Sequence, residues 1–186
     1  DEKSPKWLGL FYCRNDDIQE AKKRYNITGK TKNIICGISA SGPTKRWEIK
    51  NFIKLFENLN SKHECRFFLA GGVKDENLIQ QVKDSSIGKN CISLSEMTIA
   101  EIMPIISSCQ YCISNDSGFA HISSGLNLKC LVLFMDSPPA AYGLYSKNIS
   151  IIVPNGQTID TCTHNTRGKD KISFDEVLKR SLEIIN

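Results

Sequence analysis

A segment that follows the first long apolar run combines small residues, hydroxyls and two adjacent cations. Its sequence is Ser39-Ala40-Ser41-Gly42-Pro43-Thr44-Lys45-Arg46-Trp47. Small residues let backbone N–H groups approach an anion closely, hydroxyls donate hydrogen bonds, and a lysine adds a compact positive charge. The glycine spacing differs from that of a Walker loop. The segment is therefore either a phosphate-binding loop or a turn with solvated charges, and its residues alone leave both interpretations open.

A second polar segment, Ser114-Asn115-Asp116-Ser117-Gly118-Phe119-Ala120-His121, lies between a predicted strand and a predicted helix. We expect Asp116 to cap that helix by accepting hydrogen bonds from its first N–H groups. The helix N-terminus then has positive dipole character, which suits a phosphate. His121 follows Ser117 by four residues and shares its helix face, so it can bind the same anion. The alternative is an ordinary capped helix with a half-buried histidine.

A third candidate loop contains two glycines and a carboxylate after another apolar run, in Phe68-Leu69-Ala70-Gly71-Gly72-Val73-Lys74-Asp75. Gly71 and Gly72 would allow a planar group to approach closely, and Asp75 would accept hydrogen bonds from ribose hydroxyls. The residues alone favour a simpler interpretation, a strand–turn–helix connection with Asp75 near the start of the helix.

Strand-like and helix-like segments alternate along nearly the whole chain, and these elements must position the three loops. Apolar runs predict six strands, over residues 34–40, 66–70, 90–94, 110–114, 129–134 and 149–153. Helical spacing of apolar residues predicts a helix over Trp47–Leu59, and capping boxes start further helices at Thr98 and Ser173. Such alternation predicts an α/β fold, a Rossmann-like parallel sheet with helices on both faces. Ligands of such sheets bind beyond the carboxyl ends of the strands, where all three loops lie.

The composition is that of a globular domain, and the charge is only mildly basic. The chain has 186 residues, of which 40% are hydrophobic and 24% are charged. We divide it into a linker and leading helix over residues 1–33 and one Rossmann-like domain over residues 34–186. The net charge of +4 is spread along the chain. That pattern fits an anionic small ligand or a peripheral membrane association and gives no sign of nucleic-acid binding.

The eight cysteines lie mostly inside apolar runs, as Cys36 and Cys130 do. We expect reduced cysteines that act as small core residues, which indicates a reducing compartment. No apolar stretch approaches the roughly 20 residues of a membrane span, and no signal-peptide pattern is evident. The sequence therefore predicts a soluble, cytoplasmic protein.

Motifs of several other enzyme classes are absent from the sequence. No Asp-x-Asp pair suggests a divalent metal site, no Gly-x-Gly-x-x-Gly follows a strand, and no Gly-x-Ser-x-Gly marks a nucleophile elbow. The histidines His63, His121 and His164 lack metal-ligand spacing. We therefore expect no metal and no cofactor.

Two of the three loops together resemble glycosyltransferase family 9, the heptosyltransferases. The stretch 44–47 resembles the Lys-Arg-Trp motif of that family, and the stretch 115–121 resembles its Asn-Asp-Ser/Thr-Gly-x-x-His motif. The two motifs occur in the family's order, and the resemblance covers about residues 34–153. It implies a GT-B fold, in which two Rossmann-like domains flank the active site. The present chain resembles the C-terminal domain, the half that binds the donor.

The resemblance also implies roles for particular residues. The donor, an ADP-heptose-like nucleotide sugar, would contact Ser39, Ser41, Thr44, Lys45, Asp116, Ser117, Gly118 and His121. Lys45 would stabilise the leaving phosphate in an inverting transfer that needs no metal. The family's ribose-binding acidic residue aligns with Val73, so Gly71, Gly72 and Asp75 are weaker candidates for that contact. The catalytic base, an aspartate in the family, belongs to an N-terminal domain that this chain does not match.

These implications predict a chain that binds the donor but transfers nothing by itself. The acceptor, a lipopolysaccharide core or related surface glycan, would bind the missing N-terminal domain at the inner face of the inner membrane. If the final helix, Phe174–Ile185, packs on that domain, Leu178 and Leu182 should form a partly exposed apolar stripe with Ile185. Two alternatives stay open. They are a non-catalytic nucleotide- or phosphate-binding Rossmann-like module and a GT-B enzyme that uses a UDP-sugar.

Overall fold

A computed structural model describes residues 11–186, so the first ten residues of the predicted 1–33 segment lie outside the described range. Seven α-helices occur in this part of the chain: α1 Asn15–Arg24, α2 Ile49–Lys62, α3 Glu76–Lys83, α4 Ile99–Ser108, α5 Gly118–Gly125, α6 Pro139–Tyr142 and α7 Phe174–Ile185. They alternate with six strands: β1 Lys32–Gly37, β2 Cys65–Ala70, β3 Cys91–Ser93, β4 Tyr111–Asn115, β5 Lys129–Leu133 and β6 Ile149–Ile152.

The six strands form one parallel sheet in the order β3-β2-β1-β4-β5-β6. Strands β1 to β3 are added toward one edge of the sheet, and strands β4 to β6 are added toward the other edge. The strand order therefore reverses between the neighbours β1 and β4. In an open parallel sheet such a reversal leaves a crevice beyond the carboxyl ends of the strands. The predicted α/β class and parallel sheet are confirmed.

Both faces of the sheet are buried, which explains the nearly continuous apolar runs of the strands. Successive β1 residues alternate between two cores, with Ile34 and Cys36 on one side and Ile35 on the other. Helices α2, α3 and α7 cover the first core, where Phe52 and Phe56 are fully buried. Helices α1, α4 and α5 contribute to the second core.

Helix α7 packs within this chain. Its Phe174 ring stacks on Trp47 with centroids 6.1 Å apart, and Leu178 and Leu182 pack against the first core. Ile185 is fully buried, so the expectation that it is exposed in an apolar stripe is wrong. At the start of the helix the Ser173 hydroxyl accepts the Glu176 N–H, but the return bond of a capping box does not form. The capping box of α4, between Thr98 and Glu101, forms in full.

Several predicted boundaries shift around the first loop. Strand β1 ends at Gly37 and not at Ala40, and α2 begins at Ile49 and not at Trp47. The reason is a 3₁₀ turn over Pro43–Lys45, which separates the two elements. The predicted loop over residues 136–148 contains the short helix α6.

The cysteines behave as core residues. All eight are free thiols, and every one except Cys13 is buried, as predicted. Among residues 11–186, no helix combines the length and the apolar character needed to cross a bilayer.

Candidate functional site

A cleft of about 440 Å³ opens at the carboxyl edge of the sheet, beyond the ends of β1 and β4, where the strand order reverses. Of the eight principal donor-contact candidates, all except Thr44 line it: Ser39, Ser41, Lys45, Asp116, Ser117, Gly118 and His121. The two motifs therefore meet at one cavity, although they are far apart in the sequence. The walls also include side chains without a predicted role, among them Ile99, Phe119, Ile122, Tyr142 and His164.

The loop after β1 is held at both ends by one buried side chain of the second motif. The Nδ2 atom of Asn115 donates to the Ile38 carbonyl at 3.0 Å, and its Oδ1 atom accepts the Trp47 N–H at 3.1 Å. Asn115 is completely buried, so these bonds satisfy polar groups that water does not reach. With its ends fixed, the loop presents Lys45 to the cleft. Local sequence gives no sign of this role of Asn115.

A glycine lets β1 and β4 approach each other beneath the cleft. Gly37 is the register partner of Ser114, and a Cβ atom on Gly37 would lie 2.0 Å from the Ser114 Oγ. The Ser114 hydroxyl is 3.0 Å from the hydroxyl of Ser117, the residue just before α5. The close approach therefore helps to fix Ser117 at the rim of the cleft.

The N-terminus of α5 faces the cleft with no side chain capping its first turn. Gly118 and Phe119, the first two residues of the helix, line the cavity. The N–H groups of these two residues have no acceptor within the helix, and the helix dipole makes this end electropositive. The predicted cap by Asp116 is wrong, because Ser117 occupies the N-cap position and the Asp116 carboxylate has other partners.

Those partners form a network beside the helix end. The Ser137 hydroxyl donates to Asp116 Oδ2, and His121 Nε2 lies 3.6 Å from Asp116 Oδ1. On its other side, His121 Nδ1 is 2.7 Å from the Tyr145 hydroxyl. Burial alone would raise the pKa of Asp116, but the bonds from His121 and Ser137 and the charge of Lys45 outweigh it, so the pKa is lowered. The imidazole is thus oriented at the cleft by a carboxylate and a phenol.

Thr44 points to a different partner. Its hydroxyl interacts with the Asp136 carboxylate, which also accepts the Arg167 N–H at 2.8 Å. Burial would raise the pKa of Asp136, and the bonds from Thr44 and from the backbone of residues 165 and 167 lower it overall. Thr44 therefore ties the first loop to the segment after β6, and a direct contact with the donor stays a prediction.

The third predicted loop lies outside the lining of this cleft. Asp75 Oδ2 accepts the Gly72 N–H at 3.0 Å and closes a turn before α3. Gly71, Gly72 and Asp75 therefore form the strand–turn–helix connection that their residue types favour. Their predicted contact with a ribose stays a prediction.

A cleft that combines a lysine, small hydroxyl residues, an uncapped helix end and a histidine suits an anion with several oxygens, such as a pyrophosphate. Ile99, Phe119 and Ile122 add apolar surface beside these polar groups. A few convergent polar groups within an apolar wall are typical of small-molecule sites.

The sequence matches a known protein family. Residues 11–172 match the family described as glycosyltransferase family 9 (heptosyltransferase). A lipooligosaccharide heptosyltransferase 2 from Haemophilus influenzae is 27% identical over 129 residues, which cover 67% of this chain and 37% of that protein.

Two solved structures share the fold. The glycosyl transferase family 9 protein from Veillonella parvula superposes with a TM-score of 0.79 at 20% identity, over 94% of this chain and 52% of that one. The E. coli ADP-heptose lps heptosyltransferase II gives a TM-score of 0.76 at 18% identity, over 95% of this chain and 53% of that one. The chain thus spans about half the length of these structures and a still smaller share of the Haemophilus protein.

Proposed function

Because the chain belongs to glycosyltransferase family 9, we propose that it is the donor-binding half of a heptosyltransferase-like enzyme of the GT-B fold. The observation that carries this proposal is the meeting of the two family motifs at one cleft, with Asn115 of one motif bonded to the loop of the other. The donor we propose is an ADP-heptose-like nucleotide sugar, the compound that the name of the E. coli structure contains.

The proposed reaction is an inverting transfer in which an acceptor hydroxyl attacks the anomeric carbon and ADP leaves. Negative charge grows on the leaving pyrophosphate as the glycosidic bond breaks. Lys45 and the N–H groups at the start of α5 line the cleft where that charge would develop. Donors fixed before the reaction stabilise such charge without reorganising. These groups supply the stabilisation without a metal ion or a cofactor, and the absence of an Asp-x-Asp pair from the sequence supports this part of the proposal.

The general base and the acceptor site belong, in this proposal, to an N-terminal Rossmann-like domain. Among the residues that line the cleft, the one carboxylate is Asp116, and it is already bonded to Ser137 and lies beside His121. Its lowered pKa makes it a weak base. We therefore infer that the chain alone binds the donor without transferring sugar. The proposed acceptor is a lipopolysaccharide core or related glycan, handled on the cytoplasmic side of the inner membrane.

The test is a transfer assay with ADP-heptose and a heptose-accepting lipopolysaccharide core. The chain alone should release no ADP above the no-enzyme background. The same chain joined to an N-terminal half from a family 9 enzyme should transfer heptose, and Lys45→Ala in that fusion should remove most of the activity. Transfer by the isolated chain would show that the base lies within it and would refute this division of roles.

The nucleotide preference tests the donor class separately. We expect the chain to bind ADP more tightly than UDP in a calorimetric titration that extends to millimolar ligand. A preference for UDP would favour an enzyme that uses a UDP-sugar.

A further inference from the structure

The strand order sets the order of the side chains along the cleft. Ile99 follows β3 and Tyr142 follows β5, while His164 follows β6. The phosphate-binding candidates follow β1 and β4, which lie between these strands in the sheet. Ile99 therefore lies toward one end of the cleft, Tyr142 and His164 lie toward the other, and Lys45 and the start of α5 lie between them.

The two ends offer different chemistry. At the β3 end, Ile99 presents an apolar side chain that is 49% exposed. At the opposite end, Tyr142 presents an aromatic ring that is 43% exposed and meets His164 edge-on, with ring centroids 6.1 Å apart. An imidazole nitrogen either donates or accepts a hydrogen bond, and a tyrosine offers both an apolar ring and a hydroxyl. The second end is therefore suited to a group with many hydroxyls and some C–H surface.

The segment that carries His164 is anchored on both sides although its side chain is exposed. The Cys162 thiol contacts the Ser137 carbonyl at 3.5 Å, and the Gly168 N–H donates to the Met135 carbonyl at 2.9 Å. Between these anchors, Asn165 and Arg167 adopt positive φ angles of 77° and 49°. Such angles are uncommon outside glycine and persist where the surroundings impose them.

The same segment is also connected by hydrogen bonds to the loop that carries Lys45. The Asp136 carboxylate accepts the Arg167 N–H and interacts with the hydroxyl of Thr44, the residue before Lys45. The position of His164 is thus fixed relative to Lys45 through one side chain. Both elements then present their side chains to the same cleft.

From this arrangement we propose that Tyr142 and His164 form the subsite for the sugar of the donor. The proposal rests on the proposed function, since it needs a nucleotide sugar whose pyrophosphate lies at Lys45 and the start of α5. The nucleoside then extends toward Ile99, and the sugar extends toward the β5 and β6 ends. His164 hydrogen-bonds sugar hydroxyls, and the Tyr142 ring packs against sugar C–H groups.

Titration of ADP and ADP-heptose into the wild-type chain, His164→Ala and Tyr142→Ala tests the proposal. Each variant should bind ADP as the wild type does, because ADP does not reach this end. Each should bind ADP-heptose about three- to tenfold more weakly, as the loss of one hydrogen bond or ring contact implies. His63→Ala, a change outside the cleft, should alter neither affinity. Urea denaturation of each variant shows whether its fold is intact.

Other results would overturn the proposal. Equal weakening of ADP and ADP-heptose would place His164 at the phosphates, and unchanged binding of both by the two variants would remove it from the site. If the wild-type chain binds neither ligand, the proposed function fails as well. If the wild type binds both and the variants show no sugar-specific loss, only the sugar subsite is wrong.

Discussion

The side-chain Oδ1 of Asn115 accepts the backbone N–H of Trp47 at 3.1 Å, across a separation of 68 residues. The same amide donates to the Ile38 carbonyl at 3.0 Å. The end of β4 therefore fixes the entry and the exit of the loop that carries Lys45. A single buried side chain makes the geometry of one motif depend on the other.

Asn115→Ala should lower both stability and nucleotide affinity. It leaves the Trp47 N–H and the Ile38 carbonyl buried without this partner, and each loss of that kind costs about 1–3 kcal/mol. We expect a loss of about 2–4 kcal/mol in the free energy of unfolding, measured by urea denaturation, and weaker ADP binding. Asn77→Ala, on the exposed surface of α3, is the matched control and should leave both nearly unchanged. Equal effects of the two substitutions would contradict the role of Asn115 in holding the loop that carries Lys45.

Gly37→Ala should destabilise the chain by forcing β1 and β4 apart. The added Cβ atom would meet the Ser114 Oγ at 2.0 Å, which demands a local shift of a fully buried side chain. Overpacking of this kind costs about 1–3 kcal/mol. Gly29→Ala has no heavy atom within 4 Å of the new Cβ and serves as the control in the same urea experiment. A Gly37→Ala protein as stable as the wild type would show that the strands separate easily.

The ionised form of Asp116 should stabilise the fold. The pKa of Asp116 is lowered in the folded chain. The stabilisation that the carboxylate adds to the fold is therefore complete at pH values above its ordinary pKa of 3.8, and it is lost as the pH falls through the pKa in the folded chain. The difference in unfolding free energy between wild type and Asp116→Asn should therefore shrink as the pH falls from about 5 to about 2. Urea denaturation across that range measures it. A difference that grows toward low pH would mean that the carboxylate is not stabilised in the folded state.

The buried thiols should be unreactive until the chain unfolds. Burial raises the pKa of Cys65 to about 11 and that of Cys91 to about 12, and only Cys13 is not buried. Since the thiolate is the reactive form, a thiol-specific disulfide reagent should label Cys13 first in the native chain. All eight cysteines should react in denaturant. Rapid labelling of several thiols in the native chain would contradict the buried positions of these side chains.

The fold was predictable because its signals are local and repeated. Apolar runs of strand length alternate with helical spacing, and the capping residues at Thr98 and Ser173 mark helix starts that the structure contains. The predicted end of β1 at Ala40 is wrong because residues 38–40 are apolar or small enough to continue a strand. The Asn115 side-chain amide instead forms hydrogen bonds with the backbone of Ile38 and Trp47, and local sequence does not reveal these long-range contacts.

The candidate site was predictable where residue type and position determine the chemistry. Residue type and spacing single out Lys45, Ser117 and His121, and all three line the cleft. The partners of Asp116 were not predictable, because Ser137 is distant in sequence and is brought to it by the neighbouring strand β5. Sequence does not single out Tyr142 and His164 either, since each lies in a segment that has no pattern of its own.

The most direct test of the assignment of this cleft to the donor is a calorimetric titration of ADP into the wild-type chain, Lys45→Ala and Lys50→Ala. Lys50 lies on the exposed first turn of α2, close in sequence to Lys45 and outside the lining of the cleft. We predict that wild type and Lys50→Ala bind ADP equally, whereas Lys45→Ala loses about 1–3 kcal/mol of binding free energy, as expected for a charged hydrogen-bond partner. Equal affinities in all three proteins, or no ADP binding at millimolar concentration, would contradict the assignment of this cleft to the donor.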